Sequence, residues 1–304
     1  MNDSTYLTEN LAKNETLVNY LIKQVVSEPI SKIKPIGNAK TSFVYEVNNH
    51  LIVKFPSCRT DTSNWKMQSE NAPVLQSSFS FQIPQPKLKA VVLTSTSPRA
   101  MLSAYYEKIK GRTITSGDFA ERPIEFKQRF FEQLSDAAVQ IHAICPDTLP
   151  VPPLKSEELA KSLLPIRPDN HFFNGLVRLL MYFPGVGFER PPQRILCHSD
   201  LHSSNICLDE KDNLIGILDF DTLNQGNYFA EFRPFLYRKK EDIEMFRKIY
   251  EKRSGRTMSD RDIRWMDMMY KVMCVSAATA RIKRVATFKN PVQKKGLSRD
   301  CRFF

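Results

Sequence analysis

The chain has 304 residues, 42% hydrophobic and 11% aromatic, which is enough to bury a real core and excludes a disordered polypeptide. No apolar run reaches membrane-spanning length, and the opening MNDSTYLTEN lacks the basic-then-apolar pattern of a signal peptide, so a cytoplasmic protein with no membrane span is expected. The six cysteines are far apart with no C-x-x-C pair, which argues against a zinc site or a disulfide framework, and the net charge of +11 leaves anionic partners open.

The segment Thr5–Val26 predicts an amphipathic helix, with Leu7, Leu11, Leu17, Leu21 and Val25 near one stripe. The period then changes to two. Ile33, Ile36, Phe43, Tyr45, Val47, Ile52, Val53 and Phe55 fall in short β-prone runs, punctuated by Gly37-Asn38 and Asn48-Asn49 as turns. A polar loop precedes a helix over Trp65–Gln76, and strands follow at Leu88–Leu93 and Ala100–Ile109. The first part thus reads as helix, three strands, helix, two strands.

The helical period returns over Phe119–Ile144, and a Pro-rich connection spans Pro146–Pro153. Helices are expected around Glu157–Leu164 and His171–Phe183, then short strands at Arg194–Cys197, Asn205–Leu208 and Leu214–Leu218. Lys240–Arg253 and Asp260–Val285 are again helical. A small β-rich part followed by a larger, mostly helical part is an α+β, two-lobed layout. The natural hinge is near Glu107–Gly111, giving an N-terminal nucleotide-binding lobe at 1–108 and a C-terminal catalytic and substrate-binding lobe at 109–304.

The chemistry concentrates in ILCHSDLHSSNICLDEKDNLIGILDFD. An apolar strand ends at Cys197, and His198, Ser199 and Asp200 form a polar turn. Asn205 opens the next strand, which a turn at Lys211-Asp212-Asn213 folds back into a hairpin ending at Asp219 and Asp221. The hairpin brings Asp200, Asn205 and Asp219 toward one edge. Phosphoryl transfer needs a carboxylate to take or orient the proton of an attacking hydroxyl, and oxygen ligands to hold magnesium on nucleotide phosphates. Asp200 is the candidate base; Asn205 and Asp219 are the candidate metal ligands.

His198-x-Asp200-x-x-x-x-Asn205 followed by Asp219 resembles the catalytic and metal-binding signature of the aminoglycoside phosphotransferase and choline kinase family. That family often continues to a Gly and a further acidic residue, places held here by Gly226 and Glu231. Asn227 and Tyr228 depart from its usual Asp-Pro. The resemblance implies a protein-kinase-like fold using Mg2+ and ATP or GTP. It makes Lys54, in LIVKFP, the strand lysine on the α/β-phosphates, with Glu70 of the following helix as its partner. Gly37 falls in the phosphate-covering turn, where Lys40 or Ser42 is placed to add contacts to a glycine-poor loop. The run from Tyr105 to Gly111 is similar to the interlobe linker of 2''-aminoglycoside phosphotransferases. By that analogy the Glu107 carbonyl and the Ile109 N–H bind the purine edge. The implied partners are a nucleotide and a small-molecule hydroxyl acceptor, aminoglycoside-like or an amino alcohol. A protein or lipid kinase, or a non-catalytic binding module, are the alternatives.

Several residues stay open. His198 is expected to hydrogen-bond backbone near Asp219 as a supporting residue. His202 is an ionisable group inside the same loop, and its plain reading is a partly exposed loop histidine. His142 reads as a packed helix histidine. Asp221 is either a substrate-facing carboxylate or a capped turn residue. Asp118, Glu121, Asp221 and Glu231 are acidic groups in plausible places for a cationic acceptor. The basic residues Arg281, Lys283, Arg284, Lys289, Lys294, Lys295, Arg299 and Arg302 offer a surface for an anionic partner. Without interleaved aromatics they do not suggest nucleic acid.

Overall fold

A computed structural model describes residues 11, 14–38, 42–57, 61–94, 97–152, 195–226, 231–232, 239–260, 263, 264 and 267. The helices expected at Glu157–Leu164 and His171–Phe183, Lys40, Asn227, Tyr228 and the basic residues beyond Val285 lie outside the described residues, as does most of Asp260–Val285.

Helix α1 (Glu15–Val25) starts where the Asn14 side chain accepts the Leu17 N–H, with Glu15 in its first turn and Lys23 in its last. Val18, Leu21, Ile22 and Val25 form its buried stripe. They pack with Tyr45, Val47, Val53, Phe55, Val91 and Met101 into the core of the first lobe.

That core lies against a five-stranded antiparallel sheet of β1 (Ile33–Asn38), β2 (Ser42–Val47), β3 (Leu51–Pro56), β4 (Lys87–Thr94) and β5 (Ser97–Glu107), in spatial order β1-β2-β3-β5-β4. Asn48 and Asn49 turn β2 into β3 with φ of 52° and 63°, the left-handed conformation that primed hairpin turns require and that asparagine tolerates. Edge strand β4 is held by Gln24 of α1, whose amide donates to the Val92 carbonyl at 2.9 Å and accepts the Val92 N–H at 2.8 Å. Backbone groups that would otherwise invite another strand are thereby satisfied.

Helix α2 (Thr62–Ser78) lies between β3 and β4 in sequence, and the Asp61 side chain caps its start. The single helix expected over Phe119–Ile144 is instead two, α3 (Ser116–Ala120) and α4 (Ile124–His142). Pro123 is the reason: it has no N–H to give, and it biases the residue before it away from helix. Helix α4 buries Phe126, Phe130, Phe131, Leu134, Ala137, Ala138, Ile141 and His142. Phe131 meets Phe246 of α5 (Lys240–Ser254), with ring centroids 5.6 Å apart.

Three short strands fall where expected: β6 (Ile195–Cys197), β7 (Ile206–Leu208) and β8 (Leu214–Ile217). A fourth, β9 (Asn224–Gly226), was not expected and pairs antiparallel with β6. The β7–β8 hairpin is turned by Asp209, whose Oδ1 accepts the N–H of Lys211 and of Asn213, each at 2.8 Å.

The chain divides into two compact units, Met1–Leu154 with Pro192–Pro234 and Glu244–Arg256, and Lys155–Pro191 with Phe235–Ile243 and Thr257–Phe304. This division does not follow the lobe boundary expected at 108/109. Backbone bonds tie the β7–β8 hairpin to the segment between α2 and β4 and to the residues just after β5, all within the first unit. The Gln82 N–H donates to Ile215 O and the Ile217 N–H to Gln82 O, each at 2.9 Å. Arg112 and Leu208 exchange a second pair, also at 2.9 Å.

Candidate active site

Asp200 and Asn205 lie in the turn between β6 and β7. The loop closes on itself: the His202 N–H donates to Asp200 O and the Asn205 N–H to His202 O, both at 2.8 Å. The Asn205 amide nitrogen donates to Asp200 O at 3.0 Å and to Asp200 Oδ2 at 3.1 Å. That orientation leaves Asn205 Oδ1 as the oxygen pointed away from Asp200. The Leu218 N–H donates to Asn205 O at 2.8 Å, which joins the loop to the chain just before Asp219.

Asp219 adopts φ 66° and ψ 47°, and Ser199 has φ 66°. Left-handed backbone at a residue with a Cβ costs about 1–2 kcal/mol. The surroundings hold both. His198 is fully buried; its Nδ1 accepts the Asp200 N–H at 3.2 Å and its Nε2 donates to Leu218 O at 2.8 Å, so it carries its proton on Nε2. One imidazole thus fixes the backbone beside both aspartates. Phe220 is buried edge-on to His198 at 4.7 Å and lies 6.0 Å from Phe79.

Glu231 anchors the loop from below. It is fully buried and accepts the N–H of His198 at 2.5 Å and of Ser199 at 3.1 Å. His142 lies 3.4 Å from it through Nε2, and its Nδ1 meets the Tyr250 hydroxyl at 2.7 Å. A carboxylate so committed holds the loop and is not a surface for a cationic acceptor, which corrects one of the options raised for it.

Across the site, Lys54 Nζ lies 3.3 Å from Asp219 Oδ1. Burial disfavours the ammonium, but Tyr106, Asp219 and Asp221 outweigh it and hold Lys54 above the ordinary lysine range. Burial, reinforced by neighbouring Asp219 and opposed by Lys54, pushes the Asp221 carboxyl up to about 7. The site is therefore a compact mix of one cation and several carboxylates, 165 residues apart in sequence between Lys54 and Asp219.

Residues 32–267 match the family described as the phosphotransferase enzyme family. The chain belongs to that family. No curated protein sequence matches it. Among solved structures, an APH(2") in complex with GDP and kanamycin aligns with TM-score 0.67 at 18% identity, covering 88% of this chain and 92% of its own. ADP-bound APH(2'')-Ib aligns with TM-score 0.54 at 17% identity, covering 85% and 97%. The macrolide 2'-phosphotransferase MphH from Brachybacterium faecium aligns with TM-score 0.54 at 12% identity, covering 91% and 94%. At these identities the likeness is one of fold. This phosphotransferase is a kinase-type enzyme with the two-lobed α+β fold of its family.

The structure does not bring every expected residue to this cluster. Glu70 is exposed on α2, while Trp65, Gln68, Asn71, Ala72 and Leu75 are the buried positions of that helix. The ion pair expected between Glu70 and Lys54 is not formed, and Lys54 takes Asp219 in its place. Gly37 lies in β1, opposite Val44, and Ser42 is buried at the start of β2. Glu107 ends β5, exposed, and Ile109 is buried just beyond it, against Gly216. Tyr106 is a residue that sequence reasoning missed. It is buried and presents its ring 5.9 Å from Lys54 Nζ. Its signal is register: it pairs with Ile52, two positions from the Lys54–Ala104 pair, and so shares the face of Lys54. Asn224 is another, donating to the Ser199 hydroxyl at 2.8 Å.

Proposed function

We propose that this family member transfers the γ-phosphoryl group of ATP or GTP to a hydroxyl of a small molecule in a magnesium-dependent reaction. The observation that carries the reading is the meeting of Lys54 from β3 with Asp219 beside the Asp200–Asn205 loop. A cation for phosphates, a base and oxygen donors for a metal then converge as phosphoryl transfer requires.

In this reading Asp200 accepts or orients the acceptor's hydroxyl proton. Lys54 neutralises charge on the nucleotide phosphates. Gly37 and Ser42 contact them, and the backbone of Glu107 and Ile109 receives the base. The donor set suits a hard cation, because Asp219 offers a carboxylate and Asn205 turns its amide oxygen away from Asp200. Asn205 and Asp219 would hold Mg2+, whose part when bound is to offset phosphate charge. Asp221 adds a second carboxylate on that side, and His198 and Glu231 keep the loop in place. Glu70 is exposed and keeps no role beside Lys54 in the described arrangement.

The acceptor class follows by analogy with the kanamycin complex and the macrolide phosphotransferase named above: a polyhydroxylated or amino-alcohol compound. A cytoplasmic setting fits such substrates. No described helix is long and apolar enough to cross a membrane. Nothing in the described residues or the relatives supports an anionic partner for the basic C-terminal region.

The test is turnover of ATP or GTP with magnesium, alone and with a panel of aminoglycosides, macrolides and amino alcohols. Asp200→Ala should abolish it, and wild-type turnover in that variant would overturn the assignment.

A further inference from the structure

We propose that His202 is a positioning residue for the base, holding the Asp200 carboxylate in one rotation from within its own loop; the inference rests on the assignment of Asp200 above. His202 Nε2 lies 3.4 Å from Asp200 Oδ2, the oxygen that also takes the Asn205 amide at 3.1 Å. One donor and a second nitrogen within ion-pair distance, both from the same turn, thus face one oxygen. An aspartate carboxylate rotates broadly about its terminal bond unless its oxygens are held. The Asn205 donor on Oδ2, with the His202 nitrogen beside it, restrains the plane of the group. The distance to His202 is long for a hydrogen bond, but such contacts in free enzymes tighten on substrate binding.

The other ring nitrogen decides which way the imidazole faces chemically. His202 Nδ1 is buried and has no hydrogen-bond partner among the described residues. A proton on Nδ1 would be a buried donor without an acceptor, which is costly, whereas a bare Nδ1 loses less. The proton therefore belongs on Nε2, aimed at Asp200. The main chain that carries the ring is held in place, because the His202 N–H donates to Asp200 O and its carbonyl accepts the Asn205 N–H. His198 does the same service for the backbone of this loop, with its proton also on Nε2. The two histidines divide the work, one fixing main chain and the other fixing the carboxylate.

Two measurements on the full-length chain test this. Nitrogen-15 spectra of histidine-labelled protein, with His202 assigned by its loss in His202→Gln, should show the proton on Nε2, and Asp200→Asn should shift that signal. A proton on Nδ1 overturns the proposal, whether or not an acceptor is known. In turnover of magnesium-ATP or magnesium-GTP, His202→Ala should lower kcat about 10–100-fold. The nucleotide KM should stay within about threefold, and Tm within about 2 °C. His202→Gln, whose amide nitrogen reaches the same oxygen, should recover to within about fivefold of wild type. On the residual turnover of Asp200→Asn, adding His202→Ala should cause no further loss, since a positioning residue acts only through its partner. Additive losses, or wild-type kcat in His202→Ala while Asp200→Ala is dead, overturn the positioning role alone. Wild-type turnover in Asp200→Ala overturns the base assignment and the proposal with it.

Discussion

Replacing Glu231 by alanine should cost about 3–5 kcal/mol. The carboxylate is fully buried and accepts two backbone N–H groups, from His198 at 2.5 Å and Ser199 at 3.1 Å. Hydrogen bonds to a charged group contribute about 1.5–3 kcal/mol each, so two give about 3–6 kcal/mol, less whatever the loop recovers by relaxing. His142 Nε2, at 3.4 Å, would lose its neighbour as well. For a chain of this size each kcal/mol moves Tm by about 2–4 °C, so the melting point should fall by about 6–20 °C. Glu231→Gln keeps one acceptor oxygen and turns an amide N–H2 onto the other donor, so it should lose about half as much. Urea unfolding followed by circular dichroism reads both values. An alanine variant within about 0.5 kcal/mol of wild type would refute the reasoning. So would a glutamine variant less stable than the alanine one, because the loss would then not track the number of accepted bonds.

Lys54→Met should lower kcat/KM for nucleotide turnover about 10²–10³-fold, the usual effect of removing one preorganised charge or donor from a phosphoryl or oxyanion site; a loss under threefold would argue against its place on the phosphates. Gly111→Ala would put a methyl 2.8 Å from Ile215 Cδ1 and 2.9 Å from Leu208 O. It should cost about 1–3 kcal/mol by thermal melting. Gly117→Ala, with nothing nearer than 3.8 Å, should be neutral or gain about 0.5–1 kcal/mol. Thiol labelling of the native protein at pH 8 should modify exposed Cys145 well before Cys207. Burial, against a small pull from Lys108, pushes the Cys207 thiol up to about 11, so little thiolate is present there. Equal labelling rates would contradict its burial.

What the sequence made legible was local. Asp200, Asn205 and Asp219 fall on one short loop and one hairpin, where spacing translates directly into position. The strands of the first lobe show their period because they send residues into the same buried cluster as α1. Lys54 was placed in the site only through resemblance, which paired it with Glu70; its approach to Asp219, across most of the chain, was not expected. The difference lies in how α2 is rotated: Trp65, Gln68, Ala72 and Leu75 turn inward and leave Glu70 in solvent. Glu231 carried no pattern announcing that it would be buried under backbone N–H groups 32 and 33 residues earlier. Helical periodicity ran across Pro123, and the proline broke it all the same.

The backbone bonds that hold the β7–β8 hairpin bear on how the parts of the site can move. Gln82 holds β8 from one side and Arg112 holds β7 from the other, through two backbone bonds each. Gln82 lies before the Glu107–Gly111 linker, between α2 and β4, and Arg112 lies just after it, so the hairpin that leads to Asp219 is held from both sides of the linker. A swing about that linker would break the Gln82 pair and leave the Arg112 pair whole. Motion that spares both pairs carries the hairpin along with the segment before β4, and the approach of Asp219 to Lys54 travels with it.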